Sequence, residues 1–230
     1  MTTASSFSPT TFAFLRDLAA NNDREWFAAN KDRYEAYVKE PGIEFISDFG
    51  PYLDKISPHF MADTRSSGGS LFRIYRDTRF SKDKTPYKTN TGMHFRHEMA
   101  KDVHAPGYYL HLEPGQCFAG IGIWQPATAT LTKIRDAIVD DPGAWKRAAY
   151  GKRFTDTFTL GDEDMLKRPP RGYDPEHPYV EDLKRKSFTA GMRLTQKQVA
   201  SSGFVADYAR ICKSASPLMK FICEAIGVPF

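Results

Sequence analysis

Four short segments in the middle of this 230-residue chain alternate apolar and polar residues with a period of two. That pattern, joined by connections too short for crossovers, restricts the fold more than any other feature. Residues 89–97 put Thr91, Met93 and Phe95 on one side and Asn90, Gly92, His94 and Arg96 on the other. Residues 107–113 alternate Tyr108, Leu110 and Leu112 with Tyr109, His111 and Glu113, and Pro114-Gly115 turns the chain into residues 117–124. There Ala119, Ile121 and Ile123 oppose Phe118, Gly120, Gly122 and Trp124. Ahead of these, residues 71–80 read as a further strand with Phe72, Ile74, Thr78 and Phe80 on one face and Arg73, Tyr75, Asp77 and Arg79 on the other. Arg76 falls on the apolar side. The expected topology is an antiparallel meander whose apolar faces pack on helices. Its other face would then display Arg73, Asp77, Arg79, His94, Arg96, His111 and Glu113, with glycines leaving room above the sheet.

Helical spacing flanks this block on both sides. Ser8-Pro9 starts a first helix, with Phe12, Leu15 and Leu18 on one face. Asn22 with Glu25 marks a second helix carrying Trp26, Phe27, Tyr34, Tyr37 and Val38; Pro41-Gly42 is read as its break, before a third helix with Ile46, Phe49, Leu53 and Ile56. Beyond Pro126, Leu131, Ile134 and Ile138 share a helix face, and Trp145 follows the Asp141-Pro142 interruption. Residues 154–160 and 187–194 alternate as strands, with a Pro-rich loop over 167–178 between them. Thr195 with Gln198 and Ser216-Pro217 open the last helices, and Gly227 closes the chain's final stripe. With 41% hydrophobic residues the chain can bury a real core. The expectation is one α+β domain with an antiparallel sheet of about five or six strands. Residues 1–60 form a helical lobe, 70–125 the sheet core, and 126–230 helices plus edge strands.

Charge is what singles out a site. The chain carries a net +4, yet residues 71–101 hold eight basic and three acidic side chains, so the remainder is close to neutral. Arginine offers a planar fork matched to phosphate or carboxylate, and lysine adds a mobile point charge. The expected ligand is a phosphate-bearing or other anionic small molecule held by Arg73, Arg76, Arg79, Lys82, Lys84, Tyr87, Lys88 and His94. Asp77 or His111 would serve as acid/base, His111 being oriented by Glu113. The bland alternative is a solvated hairpin end in which Asp77 and Asp83 pair with the arginines. A nucleic-acid binder would use the same cations with Tyr75, Tyr87 and Trp124 for stacking. A structural or interaction protein would use the arginines as internal struts.

Other chemistries have little support in the residues. Three cysteines without C-x-x-C spacing suit reduced thiols and a cytoplasmic location. His94, His97, His104 and His111 lie close in sequence without a familiar ligand set, so no metal is expected. No phosphate-cradling glycine motif or nucleophile elbow is present, and no cofactor is indicated. The N-terminus lacks a signal pattern, and no run of about 18 apolar residues reads as a membrane span.

Four stretches resemble a widespread family of uncharacterised proteins classed as a conserved domain of unknown function. They are FLRDLAANNDREWFAANKDRY at 14–34, the segment with RIYRDTRFSKDKTPYKTN ending at Asn90, GYYLHLEPG at 107–115 with GIGIWQP at 120–126, and KRPPRGYDPEHPYVEDLKRKSF at 167–188. The resemblance covers most of the chain. It implies a single α+β domain in which the basic stretch belongs to a shared site.

Overall fold

A computed structural model of the chain describes residues 6–99 and 104–230; Lys101, counted above among the basic residues, lies outside them. Helices α1 (Pro9–Ala20), α2 (Arg24–Ala29) and α3 (Lys31–Tyr34) lead through a π-helical turn, Glu35–Lys39, into α4 (Glu40–Ile56). Strands β1 (Thr91–Arg96), β2 (Gly107–Leu112) and β3 (Cys117–Ile123) follow as the expected meander. The chain then runs through α5 (Thr128–Asp140), α6 (Pro142–Tyr150), α7 (Lys152–Thr155), β4 (Thr159–Leu160) and α8 (Val180–Leu183) to β5 (Phe188–Leu194). Helices α9 (Gln196–Val199), α10 (Phe204–Ser214) and α11 (Ser216–Ile226) complete the α+β domain. The sheet order is β1-β2-β3-β5-β4, antiparallel throughout.

One sheet face carries the core, as the alternation requires. Met93, Phe95, Tyr108, Leu110, Ala119, Ile121, Phe188 and Ala190 are buried with Phe45, Phe49, Tyr208, Leu218 and Ile222 of the helices. Phe49 meets Phe95 edge-on at 4.7 Å and Tyr208 at 4.9 Å. A second, smaller core belongs to the N-terminal helices: Phe14, Leu15, Leu18, Phe27 and Val38, joined by Ile74 and Tyr87.

That second core explains the main departure from the sequence reading. Residues 71–80 do not form a strand; only Leu71 bridges β1, at Met93. The alternation there records which side chains are buried, and Ile74 is buried in the helical lobe rather than above the sheet. The segment folds back on itself instead: Tyr75 bridges Tyr87, Arg76 N–H donates to Pro86 O at 2.9 Å, and Lys88 N–H donates to Ile74 O at 2.7 Å. Phe80, expected on the packed face, is 94% exposed at the far end.

Three smaller expectations are also revised. The cap of α2 is Asp23, whose carboxylate accepts from Trp26 N–H at 2.8 Å. The Asn22 amide instead donates to Tyr87 O at 2.9 Å and accepts from Tyr87 N–H at 3.1 Å, clamping the basic segment to the helical lobe. Pro41 does not break the helix, because it stands in the first turn of α4, where its missing N–H has no helical acceptor to lose. Residues 154–160 are a strand only at Thr159–Leu160. Phe158 N–H donates to Phe154 O at 2.8 Å, and a helical turn places the two rings together, 5.6 Å apart, as well as a period of two would.

Candidate functional site

The uncovered face of the sheet forms a trough of about 790 Å³. Strand register fixes its floor in three rows of cross-strand neighbours. The central row runs His94, Tyr109, Gly120, Gly191, Thr159 across all five strands. On one side lies Arg96, Gly107, Gly122, Thr189, and on the other Gly92, His111, Phe118, Arg193. Five of these positions are glycine. A side chain at Gly107 would collide with the His94 ring, and one at Gly92 with the Tyr109 ring, so these two glycines make room for the rings. Gly120 and Gly191 stay bare and make the open floor, while Gly122, also on the lining, is buried. Gly122 has φ +114°, and a Cβ there would strike the Phe188 carbonyl; at Gly191 a Cβ would meet nothing nearer than Ala119 O at 4.0 Å.

The walls are mostly aromatic: Phe72, Tyr109 and Phe118 on one side, Trp124 at one end. Trp124 is stacked on His104 at 5.4 Å. The next residue, Gln125, holds a φ of 42° and donates its N–H to Ser187 Oγ at 2.9 Å. The β4 side contributes Thr157, Thr159, Gly161 and Glu163. A buried network fixes this rim. Asp182 accepts from Trp145 Nε1 and Tyr150 Oη at 2.7 Å each and from Arg185 Nε at 2.8 Å, while the Arg185 guanidinium donates to Gly161 O. Gly161 N–H in turn donates to Thr189 O at 2.9 Å.

Of the residues expected to act, His94 stands in the trough. It is 9% exposed, and burial, reinforced by the nearby Arg96 charge, pushes its pKa down to about 4, so the ring is neutral at neutral pH. Among the described residues its ring nitrogens have no hydrogen-bond partner. His111 lies behind the wall, its ring stacked on Phe118 at 4.7 Å. Tyr109 Oη sits 3.1 Å from its Nδ1, and Glu113 Oε2 lies 3.3 Å from its Nε2. Burial lowers the His111 pKa against the opposing effect of Glu113. The neutral tautomer with Nε2–H donating to Glu113 and Nδ1 accepting from the Tyr109 hydroxyl satisfies both contacts.

The basic stretch lies elsewhere, in a loop whose two carboxylates are taken by its own arginines. Arg76 pairs with Asp83 and donates to Thr85 Oγ1. The Arg79 guanidinium forks onto Asp77, with Nη2 to Oδ2 at 2.7 Å. These arginines, first among the causes, hold Asp83 and Asp77 down at about 2. Lys84 Nζ donates to Thr78 O at 2.8 Å, and Lys82 is exposed. Tyr87 is buried against Phe27, with ring centroids 4.1 Å apart. None of these residues lines the trough. Arg73 and Lys88 come nearest. Lys88 Nζ donates to Arg73 O at 3.0 Å and sits 5.5 Å over the ring of Phe72, a wall residue. Burial and then the Arg73 charge lower the Lys88 pKa, and among the described residues no carboxylate pairs with either cation.

The sequence reading missed β5 as a contributor to the site. Thr189, Gly191 and Arg193 occupy the polar side of a strand whose alternation was plain, and only its apolar side drew notice. Among the described residues no group of three or more His, Cys, Asp or Glu side chains is placed to hold a metal ion, and no helix is long and apolar enough to cross a membrane.

Residues 10–221 match the model of a family described as conserved hypothetical protein (DUF2461), and the chain belongs to that family. Neither a curated protein nor a solved structure matches it.

Proposed function

We propose that the trough binds a small organic molecule carrying an anionic group. The observation that carries this reading is His94: a neutral, nearly buried imidazole on the lining of a 790 Å³ cavity, with no partner among the described residues. The ring's bonding capacity faces the trough, where a ligand hydrogen bond can take the place of one to water. Arg193 on the lining, and the unpaired Arg73 and Lys88 behind Phe72, supply positive charge for the anionic group. His111, poised between Tyr109 and Glu113 behind the Phe118 wall, is the acid/base candidate. Asp77 is the weaker of the two, being exposed and bound to Arg79. Arg76 fits the strut reading, since it closes its own loop. The buried Tyr87 and the paired arginines favour a small molecule over nucleic acid.

The test is a thermal-shift screen of phosphorylated and carboxylated metabolites on the wild-type protein and on Gly191→Val, which fills the floor at an open position. A ligand at a hundred times its Kd stabilises by about 2.7 kcal/mol, which in a chain of this size raises Tm by roughly 5–10 °C. The expected result is at least one such shift, absent in Gly191→Val, whose own Tm stays within about 2 °C of wild type. A panel without shifts, or a shift that survives the substitution, overturns the reading.

A further inference from the structure

We infer that the trough selects a dipolar ligand, one with a protonated amine at one end and a carboxylate at the other. This deepens the proposal above and rests on it. Two charged side chains of opposite sign, Glu163 and Arg193, line the same cavity. Among the described residues neither forms an ion pair or a side-chain hydrogen bond. Their positions differ along β5. Glu163 follows Gly161, whose N–H is bonded to Thr189 O, and Glu163 Oε2 lies 3.7 Å from where a Gly161 Cβ would stand, next to the Thr189 hydroxyl. Arg193 projects from the same strand face four residues further on, in the row of Phe118 and His111.

Four residues of strand cover about 13 Å. Both side chains are long enough to lean inward, so the charges they would meet are separated by roughly the length of an extended tripeptide, about 10 Å. Between them the floor is bare at Gly191 and Gly120, and the wall facing it is Phe118 and Tyr109. An apolar middle with a cation at the Glu163 end and an anion at the Arg193 end matches every group on this line. A ligand with negative charge along its whole length, such as a nucleoside polyphosphate, would meet the Glu163 carboxylate and is disfavoured.

Three probes of equal length separate the terms: the tripeptide Gly-Phe-Gly, its N-acetyl form and its C-terminal amide, titrated calorimetrically into the full chain. The wild-type protein is expected to bind the free tripeptide at least tenfold more tightly than either capped form. Glu163→Gln should abolish the discrimination against the acetylated probe, Arg193→Gln that against the amide, and Gly191→Val the binding of all three. Both charge variants alter exposed side chains, and their circular dichroism spectra are expected to match the wild type. Equal binding of the three probes, still lost in Gly191→Val, overturns the dipolar assignment and leaves the trough reading standing. Binding of none of them also overturns it, and the metabolite screen then decides the trough reading alone.

Discussion

The basic loop and the trough make opposite use of polar side chains. In the loop, 74–88, charge is dense and both carboxylates are taken up internally: Arg76 on Asp83 and Thr85, Arg79 on Asp77, with Lys84 on Thr78 O. In the trough, charged groups are few, and His94, Glu163 and Arg193 have no partner among the described residues. Unmet bonding capacity in a concave, partly buried place is therefore a better pointer to a ligand than charge density. The arginines of the loop are already committed to its own carboxylates, and such exposed pairs are individually weak. A neutral imidazole on the trough lining keeps its bonding capacity for what enters the trough.

The contrast can be broken at three levels, the largest being the rim of the trough. Asp182→Ala leaves the buried Arg185 without its carboxylate and strips acceptors from Trp145 and Tyr150. Breaking a buried pair in this way costs about 3–5 kcal/mol, read by chemical denaturation, and it frees Gly161. A loss below about 1 kcal/mol would mean that the rim does not depend on this network.

Next comes His94. Its pKa near 4 in the fold lies below the ordinary value of 6.5, so between those limits the unfolded chain binds the extra proton. Stability is therefore full above about pH 6.5 and falls as the pH drops toward 4, by up to about 3 kcal/mol. Denaturation midpoints of the wild type and His94→Gln across this range should converge as the pH falls. Parallel curves would show that the ring is not held neutral.

The smallest effect belongs to the loop. Asn22→Ala removes both bonds to the Tyr87 backbone at a cost of about 1–2 kcal/mol. Faster amide exchange should be confined to the loop and the N-terminal helices, with Gly191 and its neighbours unchanged. Loosening that reached the trough would mean the two regions are one site after all.

Period-two alternation in 89–124 sufficed for the sheet core, its packed face and the trough's central position, because register follows once short turns force neighbours together. His94, His111, Gly120 and Gly122 were all legible on that basis. Residues 71–80 carried the same alternation for a different reason: Ile74 and Tyr87 reach into the helical lobe, and periodicity alone does not say which core a residue enters. Asn22 looked like a cap because caps and backbone clamps use the same short amide. Arg193 and Glu163 were not legible as a pair, since the crossover that lays β5 beside β3 is a long-range fact no local pattern encodes.

The basic loop is closed at its base, not at its tip. Arg76 lies before Phe80, while Asp83 and Thr85 lie after it, so the tie spans the tip rather than running through it. The Asn22 clamp and the Phe27–Tyr87 stack hold the returning limb as well. The bonds that position this limb therefore do not depend on continuity of the chain at Phe80 and Ser81. Evolution or an engineer can insert residues there, or open a new pair of termini, and leave both cores assembled.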